Sequence, residues 1–342
     1  MELKVDMIFK MIHDVFKEEV PDITKNLDAL LNISIILISN YIDSLYEIDT
    51  NPPFGNETKM EKETYIKLAE DYYKIHGFKL DLHDLDIEFK KRDYDKISEL
   101  RDGETLGLTY EKDGKLHITL PDYGLLLDST VLIHEYSHSK NVLGNTTSAN
   151  RILTEAIAFS EELLYVDYLE ELGYSEDATR YKKESLRNFF SIALNNFTYT
   201  KVLALYNHYP NFSNEYYEEY YGPSDKEEKE EETKDLVDFL TNYQIGIQQL
   251  LESLNYTLAC LISAYIYETY KEDKTIFNKL QNLHTLSREN TLEECLQEIG
   301  LDLFSEETLI KLESSFKLLL QEVKEKIITI NKNNINKEHN LI

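Results

Sequence analysis

Two histidines, His134 and His138, bracket a glutamate in the run His134-Glu135-Tyr136-Ser137-His138. On a helix this spacing sets both imidazoles on one face, one turn apart. Two ring nitrogens can then reach a single zinc ion at roughly 2.0–2.1 Å. Glu135 is rotated off that face but stays beside the metal, which makes it the expected general base. Zinc lowers the pKa of its bound water to about 7, and the carboxylate accepts the proton as that water attacks a peptide carbonyl. Such a five-residue match also arises by chance on solvated helices, so the third ligand decides the case.

A catalytic zinc usually keeps three protein ligands and one open position. The next helical stretch runs Arg151-Ile152-Leu153-Thr154-Glu155-Ala156-Ile157-Ala158-Phe159-Ser160-Glu161-Glu162. Glu155 is the expected third ligand, because it stands alone among apolar and small residues. A carboxylate on such a buried face needs a cation to offset its desolvation. Glu161 and Glu162 are the alternatives, with a solvated or supporting position the simpler reading for each. The oxyanion formed on attack needs a further donor, a tyrosine hydroxyl or a histidine. The chain has 25 tyrosines, and spacing alone does not choose among them.

The elements that must hold these groups are mostly helical. Apolar residues recur at three- and four-residue steps over residues 3–20, 23–48, 59–75, 82–100, 125–143, 150–172, 175–209, 236–270, 292–299 and 306–330. Asn51-Pro52-Pro53-Phe54-Gly55-Asn56 is a break, residues 225–235 form a charged run, and the tail from Asn331 reads as frayed. One segment has the other periodicity. Residues 106–110 and 115–120 alternate around Asp113-Gly114, which predicts a β-hairpin ended by Pro121. Its second strand, at Leu116, His117, Ile118 and Thr119, is the expected substrate edge, pairing with an extended peptide; a plain structural hairpin fits as well.

Three segments in this order resemble the gluzincin zinc peptidases of the thimet oligopeptidase and oligoendopeptidase F family. The first is residues 130–139 around the two histidines. The second runs from Leu153 through Glu155 and Glu162 to Leu169. The third joins Asn255-Tyr256-Thr257-Leu258-Ala259, Ala264-Tyr265-Ile266-Tyr267-Glu268 and the segment from Ile299 to Ser305. The resemblance implies a mainly α fold with one small β-hairpin or sheet beside the zinc helix. It also implies Zn2+ on His134, His138 and Glu155, with Glu162 supporting the ligands from behind. The implied activity is hydrolysis of short unfolded oligopeptides, with an aminopeptidase or a catalytically weak zinc-binding protein as alternatives. Tyr256 is the oxyanion donor it suggests, and Tyr243 and His208 stay open. The chain departs from the family at Ser137, where Gly is usual, and at Ala158, where a small hydroxyl residue is usual. Its spacing from His138 to Glu155 is short. With 342 residues it reads as an unusually short member, with a reduced helical lobe over residues 1–100 and a zinc-binding lobe over residues 101–342.

The bulk properties agree with this class. A net charge of −28 argues against nucleic acid and anionic membranes as partners and leaves peptides as the expected one. Cys260 and Cys295 lack metal-type spacing, and two cysteines in so long a chain fit a reducing compartment rather than a disulfide scaffold. The N-terminus has no signal-peptide pattern and the most apolar run, residues 33–38, is too short to span a bilayer, so a cytoplasmic location is expected.

Overall fold

The computed structural model describes Ile48 and residues 57–82, 85–92, 107–140, 148–208, 243–287, 290–302 and 305–339, with side chains omitted at 148–150, 194–208, 243–251, 306 and 334–339. The helices expected at residues 3–20 and 23–48 (Ile48 apart), the break at residues 51–56 and the charged run at residues 225–235 lie outside the described residues. The element order is α1 (Lys62–Ile75), β1 (Asp86–Lys91), β2 (Leu108–Lys112), β3 (Lys115–Asp122), α2 (Leu127–Ser139), α3 (Ser148–Glu171), α4 (Ser175–His208), α5 (Tyr243–Glu272), α6 (Ile276–Leu286), α7 (Leu292–Glu298) and α8 (Glu306–His339). The fold is mainly helical with one small sheet beside α2, as the sequence pattern implied. No helix among the described residues is long and apolar enough to cross a membrane.

Helix α3 is the middle of the molecule, packed against α2, α4 and α5 and touched by α6. Ile152, Leu153, Ala156, Ile157, Leu163, Leu164, Val166 and Leu169 are all buried on it. That apolar content is distributed around the helix rather than along one stripe, which is the pattern of a helix enclosed by others. Tryptophan is absent from the sequence, and tyrosine fills its volume. Tyr65, Tyr72, Tyr73, Tyr165 and Tyr267 are among the largest fully buried side chains. Tyr72 sits edge-on to Tyr73, Tyr165 and Phe277, with centroids 5.3, 5.2 and 5.9 Å away, a favoured aromatic geometry.

The sheet differs from the expectation of a lone hairpin. Its order is β1-β3-β2, with β1 parallel to β3 and β2 antiparallel to it. Residues 82–100 were read as helix, yet Asp86–Lys91 is a strand: Ile87 and Phe89 alternate with charged residues, and period two prevails over so short a segment. The expected domain boundary near residue 100 falls outside the described residues; β1 before it pairs with β3 after it. The hairpin turn is Asp113-Gly114, with φ of 53° and 73°, the left-handed pair that two-residue hairpin loops demand. Pro121 does not end β3, which continues to Asp122. The β2 pairing stops at Thr119, so Pro121 has only β1 beside it, a position where its missing N–H is tolerated. Two helical features also differ: α6 occupies Ile276–Leu286, left unassigned above, and α8 continues past Asn331 to His339.

The C-terminal turns of α3 and α5, the start of α4 and the middle of α8 meet at a charge cluster around one buried lysine. Lys182 is fully buried, and its ammonium touches Asp167, Glu322 Oε1 at 2.7 Å and the Tyr267 hydroxyl at 2.7 Å. Lys326 joins Glu170 and Glu322 at 2.6 and 2.7 Å, and Lys271 joins Glu322 at 2.5 Å. The three carboxylates Asp167, Glu170 and Glu322 converge closely enough to hold a metal ion, but lysine ammonium groups already supply the cations there. Removing the central one leaves half-buried carboxylates undercompensated, Asp167 most of all, since Glu170 and Glu322 keep Lys326 and Lys271. Lys182→Met is expected to destabilise the fold by ~3–5 kcal/mol, read from chemical denaturation; an unchanged midpoint would show that Lys182 does not offset these charges.

Candidate metal centre

His134 and His138 project from α2 toward Glu155 of α3. Helix α2 is well fixed for this. Asp128 in its first turn accepts from the Tyr123 and Leu125 amides at 3.0 and 3.2 Å. Leu132 and Ile133 are completely buried. On the far side, the Tyr136 hydroxyl accepts from the Asp81 amide at 3.1 Å, and its ring meets Tyr73 edge-on at 5.3 Å.

His134 Nε2 and His138 Nε2 are 3.0 Å apart, and Glu155 Oε2 lies 3.8 and 3.6 Å from them. Three ligands at 2.0–2.1 Å in a tetrahedron lie ~3.3 Å from one another. The donor set is nitrogen and oxygen, which suits zinc. Among the described residues, no lysine or arginine contacts His134, Glu135, His138, Glu155 or Glu162. This contrasts with the Lys182 cluster, where lysines provide the positive charge. A group of half-buried carboxylates and imidazoles with no lysine or arginine against it fits a bound metal ion.

The surroundings orient each donor. Glu162 follows Glu155 by seven residues, two helical turns, so both share one face of α3. Its Oε2 is 3.2 Å from His134 Nδ1. A carboxylate only accepts, so Nδ1 carries a hydrogen, and a metal at Nε2 would take the place of the ring's second proton. Phe159, between the two glutamates, tilts against the His134 ring at 5.2 Å. The Tyr256 hydroxyl of α5 donates to Glu155 Oε1 at 3.3 Å, leaving Oε2 turned to the histidines. Tyr256 is thus brought to the site, and its contact there is with the candidate ligand. Tyr243 and His208 stand in α5 and α4, with side chains outside those described.

Charge states follow from this packing. Burial lowers the His134 pKa, but the hydrogen bond to Glu162 and the charges of Glu162, Glu155 and Glu135 outweigh it and hold the ring at about 9. Burial pushes His138 well down, helped by the charge of His134. Burial raises both Glu135 and Glu155, and the charge of His134 opposes it in each case.

Glu135 is buried, 6% exposed, and faces strand β2. The Thr109 hydroxyl lies 2.6 Å from its Oε2 and 3.0 Å from its backbone oxygen. Gly107 is so close that an added Cβ would stand 2.5 Å from Oε1. Sequence reasoning missed both residues. A glycine just ahead of an alternating strand was the available signal, since it marks close approach of another group. Nothing in the pattern pointed to Thr109.

The expected substrate edge is corrected. Leu116, His117, Ile118 and Thr119 lie in β3, the central strand, with β2 along one side and β1 along the other. Its hydrogen-bonding edges are taken, so a peptide cannot add there. Hairpin alternation set the strand but gave no sign that the distant segment Asp86–Lys91 would cover its second side.

Glu161 is not oriented with Glu155 and Glu162. It is fully buried and turned toward α1, α2 and α6. Tyr73 donates to it at 2.5 Å, Lys140 at 3.2 Å, and Gln281 and His284 complete the shell. Burial alone would raise this carboxyl, but the Lys140 and His284 partners override it and hold it far below the usual carboxylate range. A depressed folded pKa contributes stability that is present above the unfolded value near 4.5 and lost as pH falls below it. Glu161→Gln leaves the Lys140 ammonium buried without its counter-charge. It is expected to cost ~3–5 kcal/mol at pH 7, with the deficit narrowing on acidification below about 4.5. Denaturation across that pH range checks it, and a pH-independent gap would refute the charge argument.

Comparison with known proteins adds the fold. No protein-family model matches the chain, and no curated protein matches it. Among solved structures, it is similar to a Bacillus anthracis (strain Ames) protein assigned as an oligoendopeptidase F. The TM-score is 0.53 at 16% identity, covering 87% of this chain and 57% of the other. It is also similar to PZ peptidase A, solved with an inhibitor, with a TM-score of 0.50 at 14% identity over 94% of this chain and 59% of the other. The chain therefore spans under two thirds of the length of either neighbour, and at these identities the likeness is one of fold.

Proposed function

We propose that this protein is a zinc-dependent endopeptidase that hydrolyses short, unfolded oligopeptides. The observation that carries the reading is the trio His134 Nε2, His138 Nε2 and Glu155 Oε2, mutually 3.0–3.8 Å apart, with Glu135 beside it. The fold shared with two peptidases supports the same reading. Bound zinc supplies a positive charge that acidifies a water and draws electron density from a scissile carbonyl. Glu135 takes the proton of the attacking water and delivers it to the leaving amine. Glu162 fixes the His134 tautomer and Tyr256 fixes which oxygen of Glu155 turns inward. A substrate peptide lies along the outer edge of β2, which no strand covers among the described residues and whose Thr109 touches the base. Main-chain pairing there accepts many sequences and favours extended peptides. A cytoplasmic setting belongs to this reading, consistent with two buried free thiols, Cys260 and Cys295.

Metal analysis of the purified protein is expected to give about one zinc per chain. Glu135→Gln should retain that zinc and lower kcat on short fluorogenic peptides by ~10²–10⁴-fold; full turnover in this variant would remove Glu135 as the base. Substrates with acetylated and free N-termini should both be cut, since the reading is of an endopeptidase. Tyr256→Phe should weaken zinc binding by ~10-fold, measured by competition with a chelator. Unchanged affinity would mean that the Tyr256 contact does not orient Glu155.

A further inference from the structure

The entrance of strand β2 is shaped around one side chain. Thr109 faces inward, opposite the fully buried Ile118 in the register of the sheet. Its hydroxyl stands 2.6 Å from Glu135 Oε2 and 3.0 Å from Glu135 O. It has a single hydrogen for two acceptors, and the carboxylate, being charged, is the stronger one. Two residues earlier, Gly107 leaves the space that the carboxylate occupies: a Cβ there would fall 2.5 Å from Oε1, 2.6 Å from Cγ and 2.8 Å from Cδ of Glu135. One oxygen of Glu135 is therefore held by a donor and the other rests against bare backbone.

We propose that Thr109 is a positioning residue for peptide hydrolysis, clasping Glu135 against the bare backbone of Gly107 so that its carboxylate stays in one rotamer beside the metal. This rests on Glu135 being the general base. A glutamate has a flexible stem, and a base displaced by an ångström or so loses its alignment with the water it must deprotonate. The strand that lines the substrate side of the site thus also fixes the base, which couples the position of a bound peptide to that of the reacting water.

The expected result for Thr109→Val, which keeps the shape and removes the donor, is a kcat lowered ~10–100-fold. KM and zinc affinity should stay at the wild-type value. Thr109→Ser restores the hydroxyl and should recover most of kcat. Gly107→Ala should lower kcat by pushing the carboxylate aside. A second measurement uses zinc-free protein: melting temperatures of wild type, Thr109→Val, Glu135→Ala and the double variant. The loss caused by Thr109→Val should be larger by about 2–4 °C when Glu135 is present. An unchanged kcat in Thr109→Val, failure of Thr109→Ser to recover it, or additive melting-temperature losses overturns the proposal. A wild type that cuts no peptide but shows the coupling overturns the peptidase reading instead, and supports Thr109 as the group that holds Glu135.

Discussion

The constraint on which the rest depends is the desolvation of acidic side chains along one enclosed helix. Helix α3 carries Glu155, Glu161, Glu162, Asp167 and Glu170, and helices cover it on several sides. An ionised carboxylate in such a place is tolerated only with a compensating charge and hydrogen bonds. Each acid meets a different answer. Asp167 and Glu170 have Lys182 and Lys326; Glu161 has Lys140; Glu162 has the Nδ1–H of His134. Glu155 faces two histidines and a tyrosine, with the charge of His134 as its partial compensation and no lysine or arginine against it among the described residues. Under the proposed reading, a divalent cation would take over that compensating role from the His134 proton.

The same helix explains why the neighbouring glutamates do different things. Residues 155 and 162 differ by seven positions and share a face, while 161 is turned away by about a third of a circle. Glu161 consequently ties α3 to α1, α2 and α6, and Glu162 ties it to His134. The Lys140 ammonium also lies over the Tyr73 and Tyr136 rings at 4.5 and 4.8 Å. Lys140 follows directly on the last turn of α2, so the Glu161 shell pins the end of the helix that bears His138.

Much of this was legible in the sequence because it depends on short-range periodicity. The spacing of His134 and His138 and the isolation of Glu155 among apolar residues follow from 3.6 residues per turn, and the supporting place of Glu162 came through the family resemblance. The hairpin was legible through Asp113-Gly114. The third strand was not, because Asp86–Lys91 is parallel to β3 and the register that joins Ile87 to Ile118 is a long-range contact with no local signature. For the same reason the identities of the partners of Glu161 and Lys182 were hidden: Gln281 is 120 positions from Glu161, and Glu322 is 140 from Lys182.

The correction to the sheet changes how the site must work. Had β3 been the open edge, the strand proposed to bind substrate would not have been the one that contacts Glu135. With β3 enclosed, the outer strands among the described residues are β1 and β2, and β2 is the one that contacts Glu135 through Thr109. The outward residues of β2, Leu108 and Tyr110, are exposed at 47% and 38%, while the inward Thr109 touches the base. Alternation along a strand enforces this division: one face is turned to the exterior and the other to helix α2, which bears Glu135. Under the proposed reading, a peptide pairing at the outer edge of β2 would take its position from that strand. The register of β2 is set by β3, which is held on its other side by the parallel contact with β1.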